Sequence, residues 1–435
     1  MIFDICSLAP PRWKTKSISD ICKKVTSGGT PSRSKPEFYL AGTIPWIKTK
    51  ELENTWIYDT EEKITKDAVK NSSAQILPKN TVLLAMYGAT VGELGILAEE
   101  MTCNQACCAL IVDDNTADFR YLFYLLLLHK NTIKSLATGA AQQNLSAAQI
   151  KEFTFPFPEL DDQHAIADHL FKLDEKIELN KKIIQTLEQM TQAIFKSWFV
   201  DFDPVRAKME GRQPEGMDVE TAALFPDEFE GSELGHIPKG WTRQALSIYL
   251  DIKRGGSPRP IQDFIAPTGY PWVKIADATS TDNPFLFSTK ECIRKEGLRK
   301  TVLLQPGSLI LSNSATPGLP RFLELEACIH DGWLYFPKVK LFTKEYLYLL
   351  FQTQREHFIS QGNGSIFTNL KTDILKNYLA VIPSKECISA FNKIIDPIFE
   401  AIKSNTKQIH TLSSIRDSLL PKLLSGELTL TNFSH

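Results

Sequence analysis

Two stretches of the chain carry apolar residues at alternating intervals of four and three. In the first, Ile166, Leu170, Leu173, Ile177, Asn180, Ile184 and Leu187 keep that rhythm, with Ile194 beyond. In the second, Phe391, Ile395, Ile398, Ile402, Asn405, Ile409 and Leu412 keep it, with Leu419 beyond. This is the a/d spacing of a coiled-coil seam. Charged residues such as Asp174-Glu175-Lys176 fill the other faces. Each pattern predicts a helix of about 35–40 residues, roughly 55–60 Å long. Phe157-Pro158 and Ile382-Pro383 end the preceding strands, and Asp161-Asp162 and Ser384 are the expected N-caps.

Two arrangements are open: each helix lies on its own domain, or the two pack together. The polar Asn at a matching seam position in both helices favours the pair, because such residues commonly fix register. A long linker joins the helices, and each follows a domain at its N-terminal end. An antiparallel pair with a pseudo-twofold within one chain is therefore expected.

The rest of the chain repeats as well, which makes the repeat the first fact about its fold. Ser27-Gly28-Gly29-Thr30-Pro31 returns as Arg254-Gly255-Gly256-Ser257-Pro258, and Ile44-Pro45-Trp46-Ile47-Lys48 as Tyr270-Pro271-Trp272-Val273-Lys274. Gly88-Ala89-Thr90-Val91-Gly92 returns as Ser314-Ala315-Thr316-Pro317-Gly318. Thr138-Gly139 with Asn144-Leu145 returns as Asn363-Gly364 with Asn369-Leu370. From Pro158 onward the match holds a constant offset of 225. Val82 to Met86 and Ser308 to Leu311 read as buried strands, and Phe119 to Leu128 and Tyr346 to Phe351 as short apolar helices. The expected organisation is a mixed α/β domain over 1–158, a long helix over 159–202 and an acidic linker over 203–238. A second α/β domain over 239–383, a second long helix over 384–424 and a tail over 425–435 follow. Strand order does not follow from the pattern.

Composition narrows the class. At 435 residues the chain exceeds one typical core. The longest apolar run, Leu122 to Leu128, is far short of a membrane span, and the start lacks the basic and apolar regions of a signal peptide. No membrane partner and a cytoplasmic location are expected. Eight cysteines in so long a chain make no disulfide framework, and Cys103, Cys107 and Cys108 read as buried thiols rather than a zinc site. Net charge is −2, but residues 1–80 carry 13 basic against 9 acidic side chains. Residues 240–383 carry 17 against 12, whereas residues 200–235 carry 3 against 10. The basic excess flanking an acidic middle suits phosphate contact modestly, and suggests a partner that completes the grip.

No catalytic signature is present: no GxxxxGK[ST], GxSxG or HExxH, and no Gly-rich cofactor loop. His164 and His169 are spaced poorly for a metal and read as surface residues. No catalytic residue and no metal ligand is assigned. The loops instead carry side chains suited to bases and phosphates. Near the first Gly-Gly turn these are Gly28, Gly29, Thr30, Ser32, Arg33, Lys35 and Lys48. Near the second they are Arg254, Gly255, Gly256, Ser257, Arg259, Gln262 and Lys274. Gln142, Gln143 and Asn144 form a further candidate loop, with Thr368 and Asn369 as its counterpart. The glycines have two open roles: permissive turn backbone, or close approach of amides to a phosphate.

With these residues in view, the chain resembles the specificity subunit of type I restriction–modification systems. The paired Gly-Gly turns and Pro-Trp-Ile/Val-Lys segments carry the likeness. So do Ser197-Trp198-Phe199-Val200-Asp201-Phe202-Asp203-Pro204-Val205 and Ser232-Glu233-Leu234-Gly235-His236-Ile237-Pro238-Lys239-Gly240-Trp241. Leu419-Leu420-Pro421-Lys422-Leu423-Leu424-Ser425-Gly426-Glu427-Leu428 completes it, so that the resemblance spans essentially the whole chain. It implies two target recognition domains, each reading one half of a bipartite site on double-stranded DNA. It implies that the helices set the gap and bind two adenine-methyltransferase subunits, and that restriction subunits join to cut unmodified DNA. S-adenosylmethionine, ATP and Mg belong to those partners and none to this chain. Two competitors make different predictions. A modification enzyme with an unrecognised site would methylate or cleave DNA alone. A coiled-coil adaptor would show no sequence-dependent DNA retention even with partners present.

Overall fold

The computed structural model describes residues 9–137, 144–232, 235–281, 283–361 and 369–429. They form two compact units, Met1–Ile177 with His410–His435, and Glu178–Ile409. In the first unit a five-stranded sheet runs Cys22–Ser27, Cys107–Val112, Val82–Ala85, Leu94–Leu97, Thr55–Ile57. Its neighbours are antiparallel except the last pair, which is parallel. The second unit repeats this order and these directions with Leu250–Arg254, Trp333–Val339, Ser308–Ser312, Pro320–Leu323 and Phe285–Leu286.

The uninterrupted apolar runs have a simple cause. Side chains alternate along a strand. Val82 and Leu84 enter one buried cluster, and Leu83 and Ala85 enter another. Leu309 and Leu311 likewise face one cluster and Ile310 a second. Both faces of each sheet are covered, so no polar alternation survives. One cover is the helix Phe119–Leu128, capped by the Asp118 carboxylate on the Arg120 amide, with Tyr121 to Leu126 all buried. Its counterpart Lys344–Thr353 is capped by Thr343.

A smaller sheet in each unit holds the Pro-Trp segment. Ile44–Ile47 runs parallel to Thr102–Cys103, and Tyr270–Val273 runs parallel to Ala327–Ile329. A two-stranded ladder, Lys14–Ser17 with Thr154–Phe157 or Thr242–Ala245 with Leu379–Ile382, then leads into a long helix.

The two long helices span Leu160–Phe199 and Lys385–Leu424. Ser384 caps the second, accepting from the Cys387 amide at 3.1 Å. Asp161 and Asp162 do not cap the first: the helix begins at Leu160, and both carboxylates sit in its first turn, where they favour the positive end of the helix dipole. The helices pack antiparallel. In the second unit Asn180 lies against Gln408, and Phe195 against Phe391 further along. In the first unit Asp174 pairs with Arg416, while Ile166 and Leu170 share a core with Leu420, Leu423 and Leu424.

Every seam position expected from the sequence is buried or half-buried. The two seam asparagines do not meet. Asn180 is fully buried and donates to the Gln408 side chain at 3.4 Å, leaving its own carbonyl oxygen without a hydrogen-bond partner. Asn405 donates to the Ala401 carbonyl of its own helix.

The acidic segment after the first long helix is folded rather than a plain linker. It forms the helices Asp203–Met209 and Val219–Ala223 and the hairpin Phe229–Ser232 with Gly235–Pro238. Phe202, Val205 and Phe225 bury themselves beside Trp198 and Trp241, which explains the aromatic residues amid the acids. No helix among the described residues is long and apolar enough to cross a membrane.

Candidate nucleic-acid interface

Three motifs that recur along the sequence, with the residues just before a fourth, converge at one junction in each unit. At its centre is a tight turn, Asn104-Gln105-Ala106 in the first unit and His330-Asp331-Gly332 in the second. The Gly-Gly segment runs beside this turn. Gly28 donates to the Cys107 carbonyl at 3.2 Å and Gly29 to the Cys103 carbonyl at 2.9 Å. Gly255 and Gly256 make the same bonds to Trp333 and Ile329, at 2.8 and 3.2 Å. A Cβ on Gly28 would stand 2.1 Å from the Cys103 oxygen, and one on Gly255 2.3 Å from the His330 oxygen. Close backbone approach therefore requires glycine at these positions, and all four amides are spent inside the protein.

The residues just before the Gly88 and Ser314 motifs, and the Asn-Leu pairs, dock on the opposite side of the turn. Met86 donates to the Ala106 carbonyl and Asn313 to the Gly332 carbonyl, each at 2.8 Å. Leu145 then donates to Met86 at 2.9 Å, and Leu370 to Asn313 at 2.8 Å. Exposed Asn144 and Asn369 stand next to these bonds, at the edge of the junction. Gln142, Gln143 and Thr368 lie outside the described residues.

The Pro-Trp-Ile/Val-Lys segments add a repeated charge arrangement. The Lys48 amide is held by the Glu51 carboxylate at 2.7 Å, and the Lys274 amide by Asp277 at 2.8 Å. The ammonium of Lys48 reaches Glu61 and Glu62, both at 3.0 Å, and that of Lys274 reaches Glu291 at 2.6 Å. In the first unit the Trp46 indole also donates to the Gly29 carbonyl at 2.9 Å, tying strand to turn.

The arginines differ between the units. Arg33 forks onto Glu62, with Nη1 to Oε1 at 2.8 Å and Nη2 to Oε2 at 2.7 Å. It also lies over the Tyr39 ring at 4.3 Å, a cation–π contact. That fork, reinforced by Lys48, pulls the Glu62 carboxyl down to about 2. Arg254 and Arg259 instead approach one carboxylate, Asp331, at 3.8 and 3.4 Å. The Ser257 hydroxyl donates to that carboxylate at 2.6 Å and holds its pKa below the usual range. Burial pushes the neighbouring His330 down, which favours the neutral ring, and its Nδ1 accepts from the Gly332 amide at 2.8 Å. Of the remaining candidates, Thr30 donates to the Gln105 side chain, Ser32 is bonded to Ser34, and Lys35 lies over the Phe38 ring.

Glu51, Glu62, Gln105 and their counterparts Asp277, Glu291 and Asp331 were not among the residues singled out from the sequence. Recurrence was the available signal: Glu51 to Asp277 and Gln105 to Asp331 both keep the offset of 226 that joins Lys48 to Lys274. Cys103, Cys107 and Cys108 are fully buried in the sheets, and burial pushes the Cys108 thiol up to about 12. Among the described residues no group of three or more His, Cys, Asp or Glu is placed to hold a metal ion.

Chemically, each junction is a rigid backbone scaffold presenting amide, carboxylate and guanidinium groups at its surface. Each candidate basic group except Lys35 has a carboxylate nearby, Arg254 and Arg259 sharing Asp331, consistent with the weak net charge. Comparison with known proteins adds to this picture. The family model for the type I restriction modification DNA specificity domain matches residues 10–189. The type I restriction enzyme MjaIX specificity subunit of Methanocaldococcus jannaschii is 30% identical over 431 residues, covering 96% of this chain and 94% of that one. The HindI specificity subunit of Haemophilus influenzae is 27% identical over 467 residues, covering 96% and 99%. The S subunit of a type I restriction–modification system from M. genitalium shares the fold, with a TM-score of 0.59 at 17% identity over 94% of this chain and 96% of that one.

Proposed function

The chain belongs to the family of type I restriction–modification specificity subunits, non-catalytic members of their complexes, and we propose that each of its two junctions reads one half of a bipartite DNA site. One observation carries this: the same backbone hydrogen bonds build the junction twice, while its arginine contacts and the side chain at the turn tip differ. A duplicated scaffold with unlike readers suits two unlike half-sites on double-stranded DNA. The antiparallel helices fix the unspecified gap and dock two methyltransferase subunits, which use S-adenosylmethionine. Restriction subunits, using ATP and Mg, complete a cytoplasmic complex. The balanced charge fits a reader whose phosphate grip is shared with its partners.

Adenine-methylation mapping in cells carrying this chain with its methyltransferase tests the proposal. Exchanging residues 14–157 for the same segment of a relative is expected to change one half-site and leave the other. If both halves change, modular reading is wrong. Removing one heptad from each long helix shortens the pair by about 10 Å, so the gap should contract by about 3 bp. An unchanged gap would refute the helices' role as spacer.

A further inference from the structure

The junctions share a scaffold and differ at its tip. Gln105 and Asp331 occupy the same place in the turn, and each is bonded by the hydroxyl that follows the glycine pair, Thr30 or Ser257. The turn does not need either side chain. Its closing bonds run from the Cys107 amide to Asn104 and the Trp333 amide to His330, at 3.2 and 3.1 Å. The side chain of the preceding residue adds a second: Ala106 donates to Asn104 Oδ1 at 3.1 Å, and Gly332 to His330 Nδ1 at 2.8 Å. The tip can therefore change its chemistry without changing the fold. Both tips reach solvent: Gln105 is exposed, and the Asp331 side chain keeps 39% of its surface.

Resting on the half-site reading above, we propose that Gln105 and Asp331 are specificity-determining residues, each for one base pair of its own half-site. Gln105 takes an A·T pair: a carboxamide has one acceptor and one donor edge, matching adenine N6 and N7. Asp331 takes a G·C pair. A carboxylate only accepts, which suits the cytosine N4 amino group, and the adjacent guanidiniums donate to guanine O6 and N7 of the same pair. Arg254 and Arg259 are open to that role: their side chains are 55% and 77% exposed and their Nη2 atoms make only long contacts to Asp331 Oδ2, while the Nε of Arg254 is anchored on the Asp331 carbonyl. Arg33 in the first unit is not, because both of its terminal nitrogens are bound to Glu62.

The test uses the full chain with its methyltransferase subunit, the variants Gln105→Glu and Asp331→Asn, and methylation mapping. Each variant is expected to alter preference at one base pair in one half-site, a different half for each, with the gap unchanged. Discrimination at that position should fall by about tenfold or more, as expected for loss of a good base contact. A variant that still methylates with every position unchanged overturns the proposal. If a variant silences methylation, the purified complex is bound to duplexes altered one base pair at a time, and an unchanged ranking overturns it. A wild-type pattern lacking two half-sites refutes the half-site reading itself, and this assignment with it.

Discussion

Asp174→Ala should loosen the first unit more than Arg416→Ala does. Arg416 Nη1 lies 2.7 Å from Asp174 Oδ1, with 23% and 20% of the two side chains exposed. The Tyr124 hydroxyl donates to the other Asp174 oxygen at 2.7 Å. Breaking a fully buried pair costs roughly 3–5 kcal/mol, because a charge is left uncompensated. Here a fifth of each side chain reaches water, which screens the orphan. The expected cost of Arg416→Ala is about 2–3 kcal/mol, since Asp174 keeps only a neutral phenol. Asp174→Ala should cost about 3–4 kcal/mol, because Arg416 retains only the exposed Asp417 at 2.8 Å and the buried Tyr124 hydroxyl loses its acceptor. The double variant should fall short of the sum by about 1.5 kcal/mol, the coupling expected of contacting charges. Urea titrations of the four proteins give these values, read from the transition of the first unit. Additive losses, or a larger effect for Arg416→Ala, would refute the reasoning.

Three other outcomes follow from single contacts. Gly28→Ala forces a Cβ to within 2.1 Å of a backbone oxygen; it should destabilise by roughly 2 kcal/mol or more and degrade only one half-site, as methylation mapping will register. Asn180→Leu removes a buried amide whose oxygen has no partner, and should raise stability by about 1–2 kcal/mol; a lower thermal midpoint would contradict this. Glu62 titrates at about 2 in the folded chain against its ordinary 4.5. Its ionised form is favoured by folding, so this stabilisation is present above pH 4.5 and disappears as pH falls toward 2. Glu62→Gln should lose less stability than wild type across that window, and equal losses would show that the Arg33 fork is not the cause.

The long helices, the apolar strands and the duplication were legible because each rests on a periodic or recurring pattern. Ile166 to Leu187 spells out its seam at fixed intervals, and one face of a helix must be buried whatever covers it. Strand order was not legible: Val82–Ala85 lies between Cys107–Val112 and Leu94–Leu97, a choice made by long-range packing that leaves no local trace. Candidate readers were half visible. Recurrence found Lys48 and Lys274 but not the carboxylates that pair with their ammonium groups, since Glu62 and Glu291 lie at a shifted offset behind a loop of different length. Sequence pattern marked Arg33 and Arg259 as equals. Only coordinates show that one guanidinium is locked onto glutamate and aromatic ring while the other stands largely in solvent.

The first unit takes its last pieces from the far end of the chain. Ile166 and Leu170 are emitted by the ribosome long before Leu420, Leu423 and Leu424, with which they share a core. The second unit, Glu178–Ile409, is contiguous and can close while translation continues. Birth order and completion order are thus reversed: the earlier-made unit waits, apolar helix face uncovered, for the final turns of the later helix. A premature stop near codon 410 would damage the oldest part of the nascent protein and spare the newest.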